Sequence, residues 1–136
     1  MIYLLDTNIL IYLTKNRPPQ VADRIDAISD EDSLAMSFVT WAELLRGAEG
    51  SQRREATLQQ LEALTRLVHV LNPQGQGICE HYAVQATALK RRATPIGAND
   101  LWIACHALAL KATLITHNLR EFERIDGLQL ADWAAP

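Results

Sequence analysis

The sequence predicts an α/β domain built on a central, mostly parallel, twisted sheet with helices on both faces. Three observations lead there. Short apolar runs alternate with longer stretches of helical periodicity, the pattern of parallel strands joined by crossover helices. The 136 residues suit one domain spanning 1–136, because two would each be too small to bury a useful core. No internal repeat, low-complexity stretch or linker divides the chain.

Ile2-Tyr3-Leu4-Leu5 is a short apolar run ending at Asp6, and it reads as a buried strand. Thr7 to Leu13 carries apolar residues at helical spacing. Pro18-Pro19 fits the first turn of a second helix running through Ile28. Ser33 to Val39 reads as the second strand, and Thr40 starts a helix with Gly47 and Gly50 as candidate interruptions. Glu55 to Arg66 is amphipathic, with Leu58, Leu61, Leu64 and Thr65 on one side. Leu67 to Leu71 is a third strand. Pro73 precedes a helix to Arg92, Pro95 and Gly97 break the chain, and Asn99 to Lys111 is a mostly apolar helix. Ala112 to Thr116 is a fourth strand, followed by a helical turn around Glu121 and a last strand at Leu128-Gln129-Leu130.

Apolar residues make up 49% and charged residues 21%, an ordinary globular mix that excludes a disordered or collagen-like chain. No apolar run is long enough to cross a bilayer, and no leader-like segment precedes Ile2, so the expected location is cytoplasmic, with no membrane partner. Cys79 and Cys105 form no CxxC pair and read as two buried thiols. The net charge of −3 excludes a protein that coats nucleic acid by bulk charge. It leaves room for a nuclease with an acidic centre and a local basic rim, drawn from Arg46, Arg53–Arg54, Lys90–Arg91–Arg92, Arg120 and Arg124, although such runs are usually solvated helix faces.

In open parallel sheets ligands bind beyond the carboxyl ends of the strands, so the polar residues there carry the function. Asp6 stands where the first strand ends. Glu43 follows the second, three residues after Thr40, and Asp100 opens the apolar helix after Gly97. Each has a structural job available. Asp6 suits an N-cap, Thr40-Trp41-Ala42-Glu43 a capping box, and Asp100 the positive end of a helix dipole. Together, however, three acids in one crevice repel each other and raise each other's pKa unless a counter-charge is present. A hard divalent cation, Mg²⁺ or Mn²⁺, suits an all-oxygen set. Zinc is disfavoured, since His69, His81, His106 and His117 form no pair at helical ligand spacing. Thr116 and Asn118 alternate with His117, so both can offer oxygens on one side of the strand end. A carboxylate-held cation suits phosphoryl transfer, where it activates water and neutralises phosphate charge.

Four stretches resemble the PIN-domain family, and within it the VapC-type toxins of toxin–antitoxin pairs. They are Leu5-Asp6-Thr7-Asn8, Thr40-Trp41-Ala42-Glu43-Leu44 with Gly47-Ala48-Glu49, Pro95-Ile96-Gly97-Ala98-Asn99-Asp100, and Leu114 through Phe122. Each is weak alone; the ordered set, spanning nearly the whole chain, is specific. The resemblance implies a metal-dependent endoribonuclease that cuts structured RNA such as tRNA to arrest translation. It implies Asp6, Glu43 and Asp100 as catalytic and metal-holding acids. Asn118 is placed with the catalytic set, and Asn8 and Thr116 in support. It also implies a VapB-like antitoxin, a homodimer, and contact with DNA only through the antitoxin. The pattern departs at Asn118, where many PIN domains carry a fourth acid, so one firmly held ion is expected, with a second arriving alongside the RNA phosphate.

Other phosphoryl-transfer families fit poorly. A haloacid-dehalogenase-type phosphatase needs a second Asp where Asn8 stands, and a receiver domain needs a late Lys where Thr116-His117-Asn118 stands. A non-catalytic module on the same fold is the remaining alternative. Trp41, Trp102 and Trp133 are expected in the core rather than as base-stacking platforms.

Overall fold

A computed structural model describes residues 1–75 and 77–136. Five strands form one sheet: β1 (Ile2–Leu5), β2 (Ser33–Ser37), β3 (His69–Leu71), β4 (Thr113–Ile115) and β5 (Gln129–Ala131). The helices are α1 (Thr7–Lys15), α2 (Pro19–Asp26), α3 (Phe38–Glu49), α4 (Arg54–Leu67), α5 (Ile78–Arg91), α6 (Ala98–Leu110) and α7 (Leu119–Phe122). The strand order is β3-β2-β1-β4-β5, and all four pairings are parallel. The expected α/β class is therefore found, and the sheet is parallel throughout. Gln76, within the helix expected after Pro73, lies outside the described residues.

Side-chain alternation along the strands divides the core into two layers. Leu5, Met36 and Ile115 face one side and pack with Ile9, Leu10, Val21, Leu44 and Leu61 of α1 to α4. Leu4, Ala35 and Leu114 face the other and pack with Ile78, Leu89, Ile103, Ala104 and Phe122 of α5 to α7. Both faces of β1 are thus covered, which is why its sequence is continuously apolar rather than alternating.

Several local readings need correction. The second strand ends at Ser37, not Val39, and α3 begins at Phe38 because the Ser37 hydroxyl accepts from the Val39 amide at 3.2 Å. The Thr40–Glu43 capping box therefore does not form; Thr40 lies inside the helix. Gly47 does not interrupt α3, and Gly50 is its C-cap. Cys105 is buried but Cys79 is exposed. Trp133 packs on Tyr3 with ring centroids 5.1 Å apart, while Trp41 and Trp102 are partly buried against the two core layers.

Candidate active site

The chain runs from β1 towards β2 and β3 on one side, then returns to place β4 and β5 on the other. This reversal makes the β1/β4 boundary a topological switch point, where a crevice opens at the carboxyl ends of the strands. Asp6 and Thr116 stand on either side of it. The Asp6 amide donates to the Ile115 carbonyl at 2.8 Å, extending the ladder by one residue. The Asp6 carboxylate caps α1 by accepting from the Thr7 amide at 2.9 Å. Its other oxygen accepts from the Thr116 hydroxyl at 2.8 Å. Asp6 is 5% exposed, and burial raises its pKa against the pull of these hydrogen bonds.

Glu43 reaches the crevice from α3, one turn beyond its start. Its Oε1 accepts from the Thr7 hydroxyl at 2.7 Å. Asp100 lies in the first turn of α6, whose N-cap is Gly97. Burial first, then the charges of Asp6 and Glu121, push the Asp100 pKa up to about 7. Glu43 adds to the same effect. The three acids expected from the sequence therefore act on one another electrostatically, although they lie far apart along the chain.

Glu121 is a fourth acid of the crevice, and no role was read for it in the sequence. It stands on α7 and accepts from the Gly97 amide at 2.8 Å and from Asn118 Nδ2 at 2.8 Å. The Gly97 amide is the main cause of a lowered Glu121 pKa, while burial first, then the charges of Asp6 and Glu121, raises that of Asp100, so the two neighbouring acids are pushed in opposite directions. A Cβ added at Gly97 would lie 3.7 Å from Asp100 Oδ2 and 3.8 Å from Glu121 Oε1, between the two carboxyl groups. Asn118, the neutral residue at which the sequence departs from the resemblance, thus holds an acid found three residues later. Its backbone N–H donates to Thr116 Oγ1 at 3.0 Å. Asn8 touches the same turn only distantly, its Oδ1 lying 3.5 Å from the His117 amide.

Among the described residues, no three His, Cys, Asp or Glu side chains stand as a set able to hold an ion as they are turned here. Glu43 faces Thr7, and Glu121 faces Gly97 and Asn118. The donor chemistry nevertheless fits a hard divalent cation. All the oxygens are carboxylate, and burial first, then the neighbouring acids, push the Asp100 pKa up to about 7, a cost to its charged form that a bound cation would offset. His106 is no ligand candidate: it is fully buried, with Nδ1 2.9 Å from Ser37 Oγ and Nε2 unpartnered, and burial lowers its pKa.

Three of the eight residues expected on a basic rim are engaged in structure. Arg54 pairs with Glu49 and Glu55, Arg92 with Asp126, and Arg124 donates to the Pro95 carbonyl at 2.6 Å. Arg46 lines a groove beside Glu43.

A family profile described as PIN domain matches residues 3–128. Ribonuclease VapC1 of Haemophilus influenzae strain R2866 is 56% identical over 133 residues, 98% of each chain. The tRNA(fMet)-specific endonuclease VapC of Shigella flexneri is 36% identical over 132 residues, 97% of this chain and 98% of that one. The solved VapBC-1 structure from nontypeable Haemophilus influenzae superposes with a TM-score of 0.93, at 56% identity over 99% of this chain and all of that one.

Proposed function

The chain belongs to the PIN-domain family, and from that premise we propose that it is a metal-dependent endoribonuclease toxin of a VapBC-type pair, hydrolysing phosphodiester bonds in structured RNA. The observation that carries this reading is the convergence of Asp6, Glu43, Asp100 and Glu121 at the switch point of the sheet. Asp6, Asp100 and Glu43 are the residues to hold Mg²⁺ or Mn²⁺, with Glu121 as the neighbouring fourth carboxylate. When bound, such an ion lowers the pKa of water and neutralises charge developing on the phosphate.

The protein's own groups supply orientation. The Thr7 amide and the Thr116 hydroxyl fix the two oxygens of Asp6. The Gly97 amide and Asn118 fix Glu121, so Asn118 serves catalysis by positioning that acid. Glu43, steered by the Thr7 hydroxyl, orients the attacking water. Asn8 supports the turn that carries Asn118. A VapB-like antitoxin, a homodimer and a cytoplasmic site of action complete the reading. The antitoxin is supported by the likeness to a VapBC structure; the homodimer and the cytoplasmic site are proposed with it. Transfer RNA is the substrate class suggested by the name of the Shigella flexneri relative.

The test is cleavage of a total tRNA preparation by the purified protein in Mn²⁺ and in EDTA. Cleavage is expected only with the metal, and Asp6→Asn is expected to abolish it while leaving the fold intact. Undiminished cleavage by that variant, or by wild type in EDTA, overturns the assignment.

A further inference from the structure

Between the start of α3 and the start of α6 lies a groove of about 420 Å³. Its walls include Phe38, Val39 and Trp102; Arg46 and Asn99 bring polar groups, and Glu43 lines it on the side of the acids. Resting on the RNA-cleaving reading above, we propose that this groove receives one unpaired nucleobase of the RNA, adjoining the phosphodiester that is cut.

Position is the first argument. Glu43 belongs both to this groove and to the acidic crevice, so a chain with its phosphodiester at the acids presents a neighbouring nucleoside at the mouth of the groove. Surface chemistry is the second. Phe38 is a large apolar ring left 38% exposed at the first position of α3. Trp102 is held in place by Tyr82, stacked on it at 4.0 Å with the rings inclined by 13°. A fixed indole and an accessible phenyl ring make a surface on which a base can stack, and stacking tolerates any base because each has a π-face.

Charge decides between a nucleotide and an apolar occupant. Arg46 has no ion-pair partner among the described residues, whereas Arg54 and Arg92 each have one. An apolar side chain seated in the groove would strip water from the guanidinium and give nothing back. A nucleotide brings acceptors on the base edge and a phosphate, which Arg46 and the Asn99 amide can meet. The base must be unpaired, since one stacked inside a duplex presents no face to an aromatic wall.

The experiment measures binding of a short fluorescein-labelled single-stranded RNA to the full chain in EDTA, for wild type, Phe38→Ala and Arg46→Ala. Equal denaturation midpoints check that the variants are folded. Each substitution is expected to weaken binding about tenfold, with Arg46→Ala also flattening the salt dependence. Binding of Mn²⁺ alone is expected to stay unchanged. Replacing the RNA bases one at a time by abasic sites is expected to reveal one position that matters about tenfold to wild type and not to Phe38→Ala. In Mn²⁺ the loss should fall on KM rather than kcat. Unchanged RNA affinity in both variants, an equal loss with a fully paired duplex, or loss of antitoxin binding with RNA binding intact each overturns the nucleobase assignment. The ribonuclease reading fails separately, by wild type leaving RNA uncut in Mn²⁺.

Discussion

Asp100 is the side chain on which the crevice acts most visibly, and its titration gives a sign that can be checked. Burial and the neighbouring acids push its carboxyl group from the ordinary value of 3.8 up to about 7 in the folded chain. Between those values the folded state holds a proton that the unfolded state has released, so raising the pH through this window lowers stability. In EDTA, wild type is therefore expected to lose ground to Asp100→Asn as the pH rises from about 4 to about 7, with urea midpoints as the measure. A constant difference across the window would mean that neither burial nor the other acids raise the Asp100 pKa. At this scale Asp6 and Asp100 stand out in the sequence as acids at helix starts, whereas Glu43 is singled out by a capping-box spacing that the fold does not use. Glu121 does not stand out. Its helix is four residues long, too short for periodicity to register, and its place in the crevice is fixed by the amide of Gly97, 24 residues away.

Helices α3 and α6 deliver Glu43 and Asp100, and a buried contact joins their frames: His106 of α6 lies 2.9 Å from Ser37, the N-cap of α3. Removing the hydroxyl loses a cap, which destabilises by about 0.5–2 kcal/mol. It also leaves both nitrogens of a fully buried imidazole unpartnered, which adds about 1–3 kcal/mol. Ser37→Ala is expected to destabilise by more than about 2 kcal/mol in urea unfolding. The double variant Ser37→Ala/His106→Leu is expected to recover part of that loss, because removing both polar partners is far less damaging than orphaning one. A double variant whose loss equals the sum of the two singles would show that the pair is not coupled. Element existence was largely legible from apolar periodicity, while boundaries were not. The Thr40–Glu43 spacing mimics a capping box, yet the serine three residues earlier takes the cap, and Glu43 is left to reach Thr7 instead.

For the molecule as a whole, alternating short apolar strands and helices announced a parallel sheet, because only burial on both faces makes Leu4 and Leu5 equally apolar neighbours. The strand order was not legible, since it depends on which side of β1 each crossover docks. A cation that binds only the folded crevice stabilises the entire domain. Mn²⁺ at a hundredfold excess over its dissociation constant is expected to add about 2.7 kcal/mol to the unfolding free energy of wild type and little to Asp6→Asn. Equal gains in both would place the ion elsewhere. The sheet order has one more consequence. The first strand made has β2 and the much later β4 as its two neighbours, so a ribosome translating this message exposes Asp6 and Glu43 long before Thr116 and Glu121 exist. Such distant pairing is slow to form and cannot be rehearsed by a partial chain. A nascent polypeptide therefore lacks a complete crevice until synthesis has passed the fourth strand, a delay written into topology.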